Sequence, residues 1–128
     1  MQIRHVVIKV DDQDKALEFY TKVLGFVVKL DIPGNIRWIT LAAPEGADGV
    51  ELVLESNHFP PALASQKALY DGGFPATIFS TDDIDAEYKR LLALGVEFRG
   101  EPKKMGSVIF ALFDDTCGNF IVLNQQAE

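Results

Sequence analysis

Four residues with chemistry to offer, His5, Lys9, Glu51 and Glu55, fall on one side of two strand-like segments. In the first, Val6, Ile8 and Val10 alternate with His5, Val7 and Lys9. In the second, Leu52 and Leu54 alternate with Glu51, Val53 and Glu55. If the aliphatic sets face a core, the charged sets share the opposite face. Either Trp38 or Arg37 joins them from a neighbouring strand, depending on register. An imidazole beside a carboxylate suits a borderline divalent ion, or the two groups simply hydrogen-bond each other in a polar cleft.

Other candidates are more isolated. His58, beside Phe59-Pro60-Pro61, could serve as a third ligand or an acid-base group, although an exposed loop histidine without a role is the simpler reading. Cys117 has no basic neighbour in sequence to lower its thiol pKa, so it is expected to be unreactive. Trp38, Phe59, Phe74 and Phe120 are candidates to line an apolar pocket, and alternation puts Phe120, Val122 and Asn124 on one face. There is no phosphate-cradling glycine motif, zinc-finger spacing or nucleophile elbow.

The elements that must position these residues come in two copies. His5-Val-Val-Ile-Lys-Val-Asp-Asp12 is matched 71 residues later by Ala76-Thr-Ile-Phe-Ser-Thr-Asp-Asp83. Each is a strand ending in two acids that can cap a following helix, Asp12 or Asp14 in the first and Asp83 or Asp85 in the second. The first helix repeats Ala16, Leu17, Tyr20, Val23 and Leu24 at helical spacing; the second repeats Ile84, Tyr88, Leu91 and Leu92. Both close on Leu-Gly, at Leu24-Gly25 and Leu94-Gly95, as a left-handed C-terminal cap requires.

Strands are predicted over 26–30, 37–42 and 50–55, and again over 96–99, 107–113 and 120–124. Turns are predicted at Pro33-Gly34-Asn35, over Pro44 to Gly49 and over Asp114 to Asn119. Pro60-Pro61 opens a short connector helix through Tyr70, which Gly72-Gly73 ends. The fold class is therefore α+β: two tandem βαβββ modules, 1–56 and 75–126, with a connector over 57–74. They are expected to form one domain, a curved mixed sheet with helices outside.

Composition narrows the partners. The chain has 128 residues, 48% hydrophobic and 24% charged, which is ordinary for a soluble domain. No apolar run reaches the roughly 20 residues of a membrane helix. The start of the chain lacks the pattern of a signal peptide, and the single cysteine fits a reducing compartment. A cytoplasmic location is expected. A net charge of −7 argues against nucleic acid or an anionic membrane as partner.

The paired modules, with a first strand HVVIKVDD, a helix ALEFYTKVLGF, a strand GVELVLE and a closing DDTCGNFIVL, resemble the vicinal oxygen chelate superfamily. That group includes glyoxalase I, extradiol dioxygenases, epimerases and bleomycin-resistance proteins. The resemblance implies a U-shaped cleft, often completed by a homodimer, and a divalent metal (Zn, Ni, Mn or Fe) held from four equivalent strand positions. Two of these fall on His5 and Glu51. The 71-residue shift carries them to Ala76 and Val122, neither of which can bind a metal. A four-ligand glyoxalase I and an extradiol dioxygenase are both disfavoured on that ground.

Two functions follow. One is a metal-dependent lyase or isomerase of the glyoxalase type acting on a small oxygenated substrate, with Glu51 or a neighbouring acid moving a proton. The other is a metal-independent protein that sequesters a small molecule, as resistance proteins of that family do. Lys9, Trp38, Phe59, Phe120 and Asn124 are the candidate ligand contacts.

Overall fold

The computed structural model describes residues 1–45 and 49–126. The elements run β1 (His5–Val10), α1 (Gln13–Glu18), a π-helical stretch (Phe19–Val23), β2 (Val27–Ile32), β3 (Trp38–Ala42) and β4 (Glu51–Ser56). They continue through α2 (Pro60–Asp71), β5 (Pro75–Ser80), α3 (Ile84–Ala93), β6 (Lys103–Met105), β7 (Val108–Asp114) and β8 (Phe120–Gln126). The chain divides into two compact units, Met1–Ala64 and Ser65–Glu128, with the division falling inside α2.

The units repeat one topology. The first sheet has the order β1-β4-β3-β2 and the second β5-β8-β7-β6. In each, the first strand pairs in parallel with the last, and the remaining pairs are antiparallel. A parallel first strand needs a crossover, and the helix after it supplies one.

Local chemistry explains the helix ends. Asp12 accepts a hydrogen bond from the Lys15 N–H at 3.1 Å, and Asp83 accepts one from Ala86 at 3.0 Å. These are the inner acids of the two pairs; Asp14 and Asp85 lie inside the first turns instead. After α3, Val96 N–H donates to the Leu91 carbonyl and Gly95 N–H to Leu92, a double closure that holds Gly95 at φ +87°. The first helix differs from expectation. It widens to π geometry at Phe19, where the Leu24 N–H reaches back five residues to the Phe19 carbonyl.

Each core lies between the sheet and its own helix. In the first unit Ile8, Val10, Ile39, Leu41 and Leu54 are buried with Ala16 and Tyr20; Val6, assigned to the same face by alternation, stays 40% exposed. In the second unit Ala111, Phe113, Ile121 and Leu123 are buried with Ile84 and Leu91. Each such aliphatic side chain contributes roughly 1.5–3 kcal/mol by leaving water.

One predicted strand is corrected. Residues 96–99 make only a single bridge, Phe98 to Phe113, and the edge strand of the second sheet is Lys103–Met105. Gly100, at φ +103°, breaks the extended run, and the chain re-enters the ladder three residues later. The turn expected over Pro44 to Gly49 includes Gly46, which lies outside the described residues.

Candidate functional site

Within each unit, the sheet face turned away from its helix is the candidate surface. In the first unit the register fixes its membership. His5 pairs with Glu51, Val7 with Val53 and Lys9 with Glu55, while Thr40 pairs with Val53 and Leu30 with Thr40. Register partners share a face, so His5, Lys9, Glu51 and Glu55 do lie together. Trp38, two residues from Thr40, is on this face. Its indole meets the His5 ring edge-to-face, with centroids 5.6 Å apart at 66°.

Arg37 turns the other way. Its guanidinium grips Asp31 through two 2.9 Å hydrogen bonds and also donates to Asp14 on α1. Those hydrogen bonds hold the Asp31 carboxyl below the usual carboxylate range and push Arg37 further up. The choice between Trp38 and Arg37, open in the sequence, is settled for Trp38.

The polar groups on this face are mostly engaged with one another. Lys9 forms an ion pair with Glu55, each side chain a little over one-third exposed. The Glu51 N–H donates to the Arg4 carbonyl at 2.8 Å. Thr40 is wholly buried, and its hydroxyl has no hydrogen-bond partner among the described residues. Val7, Leu30 and Ile32 leave apolar surface exposed around it.

The second unit has an equivalent face with different chemistry. Ile78 pairs with Val122, Leu112 with Val122, Phe110 with Asn124, and Asp114 with Phe120. Phe120 and Asn124 thus share a face with Val122, as alternation predicted. Asn124 accepts a 2.6 Å hydrogen bond from Ser80. Ala76 sits where the parallel ladder slips, between Pro75 and Thr77. A cavity of about 380 Å³ opens along Pro75, Ala76, Thr77 and Ile78.

Phe120 is buried, because Tyr70 stacks on it at 4.5 Å with 5° between planes and Arg99 lies 4.4 Å above its centroid. Tyr70 donates to Asp114 at 2.5 Å, and that bond to a carboxylate, together with burial, pushes the phenol pKa up to about 12. None of Tyr70, Asp114, Arg99 or Thr40 was singled out by the sequence reading. For Arg99 a signal existed: Phe98 is apolar, so alternation turns its neighbour outward.

The remaining candidates lie apart from these faces. Phe59 is 69% exposed, and its carbonyl accepts the first bonds of α2. His58 is exposed, its N–H donating to the Ser56 hydroxyl at 3.2 Å. Cys117 is buried in the closing turn and forms no disulfide. There Asp115, also buried, accepts from the N–H groups of Cys117 and Asn119 and from the Asn119 amide. Gly118 holds φ +97°, which favours glycine, and a Cβ there would stand 2.8 Å from the Gln66 amide nitrogen and displace it.

The donors do not fit a divalent-metal cage of the usual kind. His5 and Glu51 would offer two donors, whereas catalytic zinc sites have three. Among the described residues no group of three or more His, Cys, Asp and Glu is disposed to hold an ion. Ala76 and Val122 offer none.

Comparison with known proteins agrees with this architecture. The uncharacterized protein YurT of Bacillus subtilis (strain 168) is 53% identical over 127 residues, covering 98% of this chain and all of that one. The crystal structure of UcmS2 is similar at 33% identity, with a TM-score of 0.83 over 97% of each chain. That of TnmS3, an antibiotic binding protein from Streptomyces sp. CB03234, is similar at 35% identity, with a TM-score of 0.79 over 99% of this chain and 97% of that one. The profile of the Glyoxalase/Bleomycin resistance protein/Dioxygenase superfamily matches residues 2–123, and the chain belongs to that superfamily.

Proposed function

We propose that this protein binds an apolar small molecule on its open sheet faces without a metal. The observation that carries this reading is the aliphatic row Leu112, Val122 and Ile78, in which Val122 stands where a metal site would need a donor. The 35% identity to TnmS3, an antibiotic binding protein, supports it over nearly the whole of both chains. Binding sites for such ligands are largely apolar with a few polar groups that fix orientation. The second face matches that description, with Asn124, Ser80 and Arg99 as the polar groups.

The ligand is held by a homodimer in the cytoplasm. Exposed Val7, Leu30 and Ile32 favour a covering partner, and the single cysteine fits a reducing compartment. No helix among the described residues is long and apolar enough to cross a membrane.

A second reading, a metal-dependent lyase or isomerase, draws on one observation: His5 and Glu51 are direct register partners on the open face. Titration with zinc, nickel and manganese separates the two. The expected result is no stoichiometric metal, with a neutral fluorescent probe, N-phenyl-1-naphthylamine, bound equally by the wild type and His5→Ala. Stoichiometric metal that disappears in Glu51→Gln would instead favour the lyase.

A further inference from the structure

The open face of the second unit carries a cation, Arg99, whose guanidinium has no carboxylate partner among the described residues. Arg99 lies in the extended segment beside β7, where its N–H donates to the Leu112 carbonyl at 2.8 Å. The preceding Phe98 turns its ring toward Tyr88 of α3, with centroids 4.7 Å apart. Arg99 therefore faces the open side, and its guanidinium carbon lies over the Phe120 ring, 4.4 Å from the centroid. A guanidinium has five N–H donors. Among the described residues none of them meets a carbonyl or carboxylate, and the residue is exposed. Asp114 shares the face, but its carboxylate accepts from the Tyr70 hydroxyl at Oδ2 and from the Thr116 N–H at Oδ1, the latter at 2.7 Å, and not from Arg99.

The sheet sets what lies next to that fork. Arg99, Leu112, Val122 and Ile78 form one row across adjacent strands. With strands about 4.8 Å apart the row spans about 14 Å. It is a cation at one end and three aliphatic side chains leading away from it. A guanidinium pinned on a ring is oriented in advance, so it loses little freedom on pairing with a planar carboxylate. The chain's negative net charge opposes anions at long range, but that field is screened beyond about 8 Å at physiological salt.

Resting on the small-molecule reading above, the geometry points to Arg99 as the residue that selects a ring-bearing apolar molecule carrying a carboxylate. The carboxylate sits on the guanidinium, and the rings lie along Leu112, Val122 and Ile78.

The test uses the full chain with N-phenyl-1-naphthylamine as a neutral reporter. It is displaced by either naphthalene-2-carboxylate or naphthalene-2-carboxamide, which differ in charge and little in shape. The wild type should release the reporter at about tenfold lower carboxylate than carboxamide, the size expected of a charge-assisted pair. Arg99→Gln should erase that preference and Arg99→Lys keep part of it, with an unchanged thermal unfolding midpoint in both as a control for folding. Equal displacement by the two probes, or a preference that survives in Arg99→Gln, overturns the assignment and leaves the small-molecule reading standing. Failure of the wild type to bind the reporter removes both.

Discussion

The two units share a ladder and differ in what they display. Both place a parallel first strand beside a last strand, cap the crossover helix with the second of two aspartates and bury aliphatic rows beneath that helix. On the opposite face the first unit presents His5, Lys9, Glu51, Glu55 and a buried Thr40, and the second presents Ile78, Leu112, Val122 and the Phe120 stack. The helix-facing residues determine the fold, so duplication preserves them. The open-face residues have no packing duty to the helix, so there the copies diverge in chemistry. A cage built from equivalent positions in both copies is therefore half missing.

The comparison can be broken most severely at the closing turn. Asp115 accepts from three buried N–H groups there, and Asp115→Ala removes the carboxylate from all three. The expected loss is about 3 kcal/mol or more, read from the denaturant midpoint. A loss below about 1 kcal/mol would mean that this turn does not anchor the second unit.

The next effect concerns Tyr70, which ties α2 to the second unit. Its folded pKa, pushed up to about 12, stands above the ordinary 10.0. The folded chain thus holds the phenol proton more tightly than the unfolded chain. The stabilisation is whole below pH 10.0 and is lost as pH rises through about 12. The phenolate absorbance of Tyr70 should appear late because of the Asp114 carboxylate, and Asp114→Asn should advance it. An unchanged titration in that variant would show that the hydrogen bond is not the cause.

The smallest effect sharpens the comparison in the first unit. Thr40 pairs with Val53, and the 71-residue shift takes Val53 to Asn124, whose partner on β7 is Phe110. The second copy has already replaced the buried hydroxyl with an apolar ring. Thr40→Val removes an unpaired polar atom with little change of shape, and should stabilise by about 1 kcal/mol. A decrease in melting temperature would show that the hydroxyl has a partner in solution.

Much of this was legible in the residues alone. Strand alternation correctly grouped His5, Lys9, Glu51 and Glu55, because the period of two is fixed by the backbone. The paired aspartates and Leu-Gly endings located both helices. The choice between Trp38 and Arg37 was not legible, because it turns on which β3 residue pairs with Val53, a long-range register. Nor was the short β6, whose three residues carry no alternating pattern. The Tyr70–Phe120–Arg99 column joins residues up to fifty positions apart, and nothing local announces it.

The most direct test of metal-independent binding is a titration of chelator-treated protein with N-phenyl-1-naphthylamine, repeated after adding zinc, nickel or manganese. The account predicts saturable binding with the same affinity in every case, unaffected by Glu51→Gln. Binding that requires one equivalent of metal and vanishes in Glu51→Gln would contradict it.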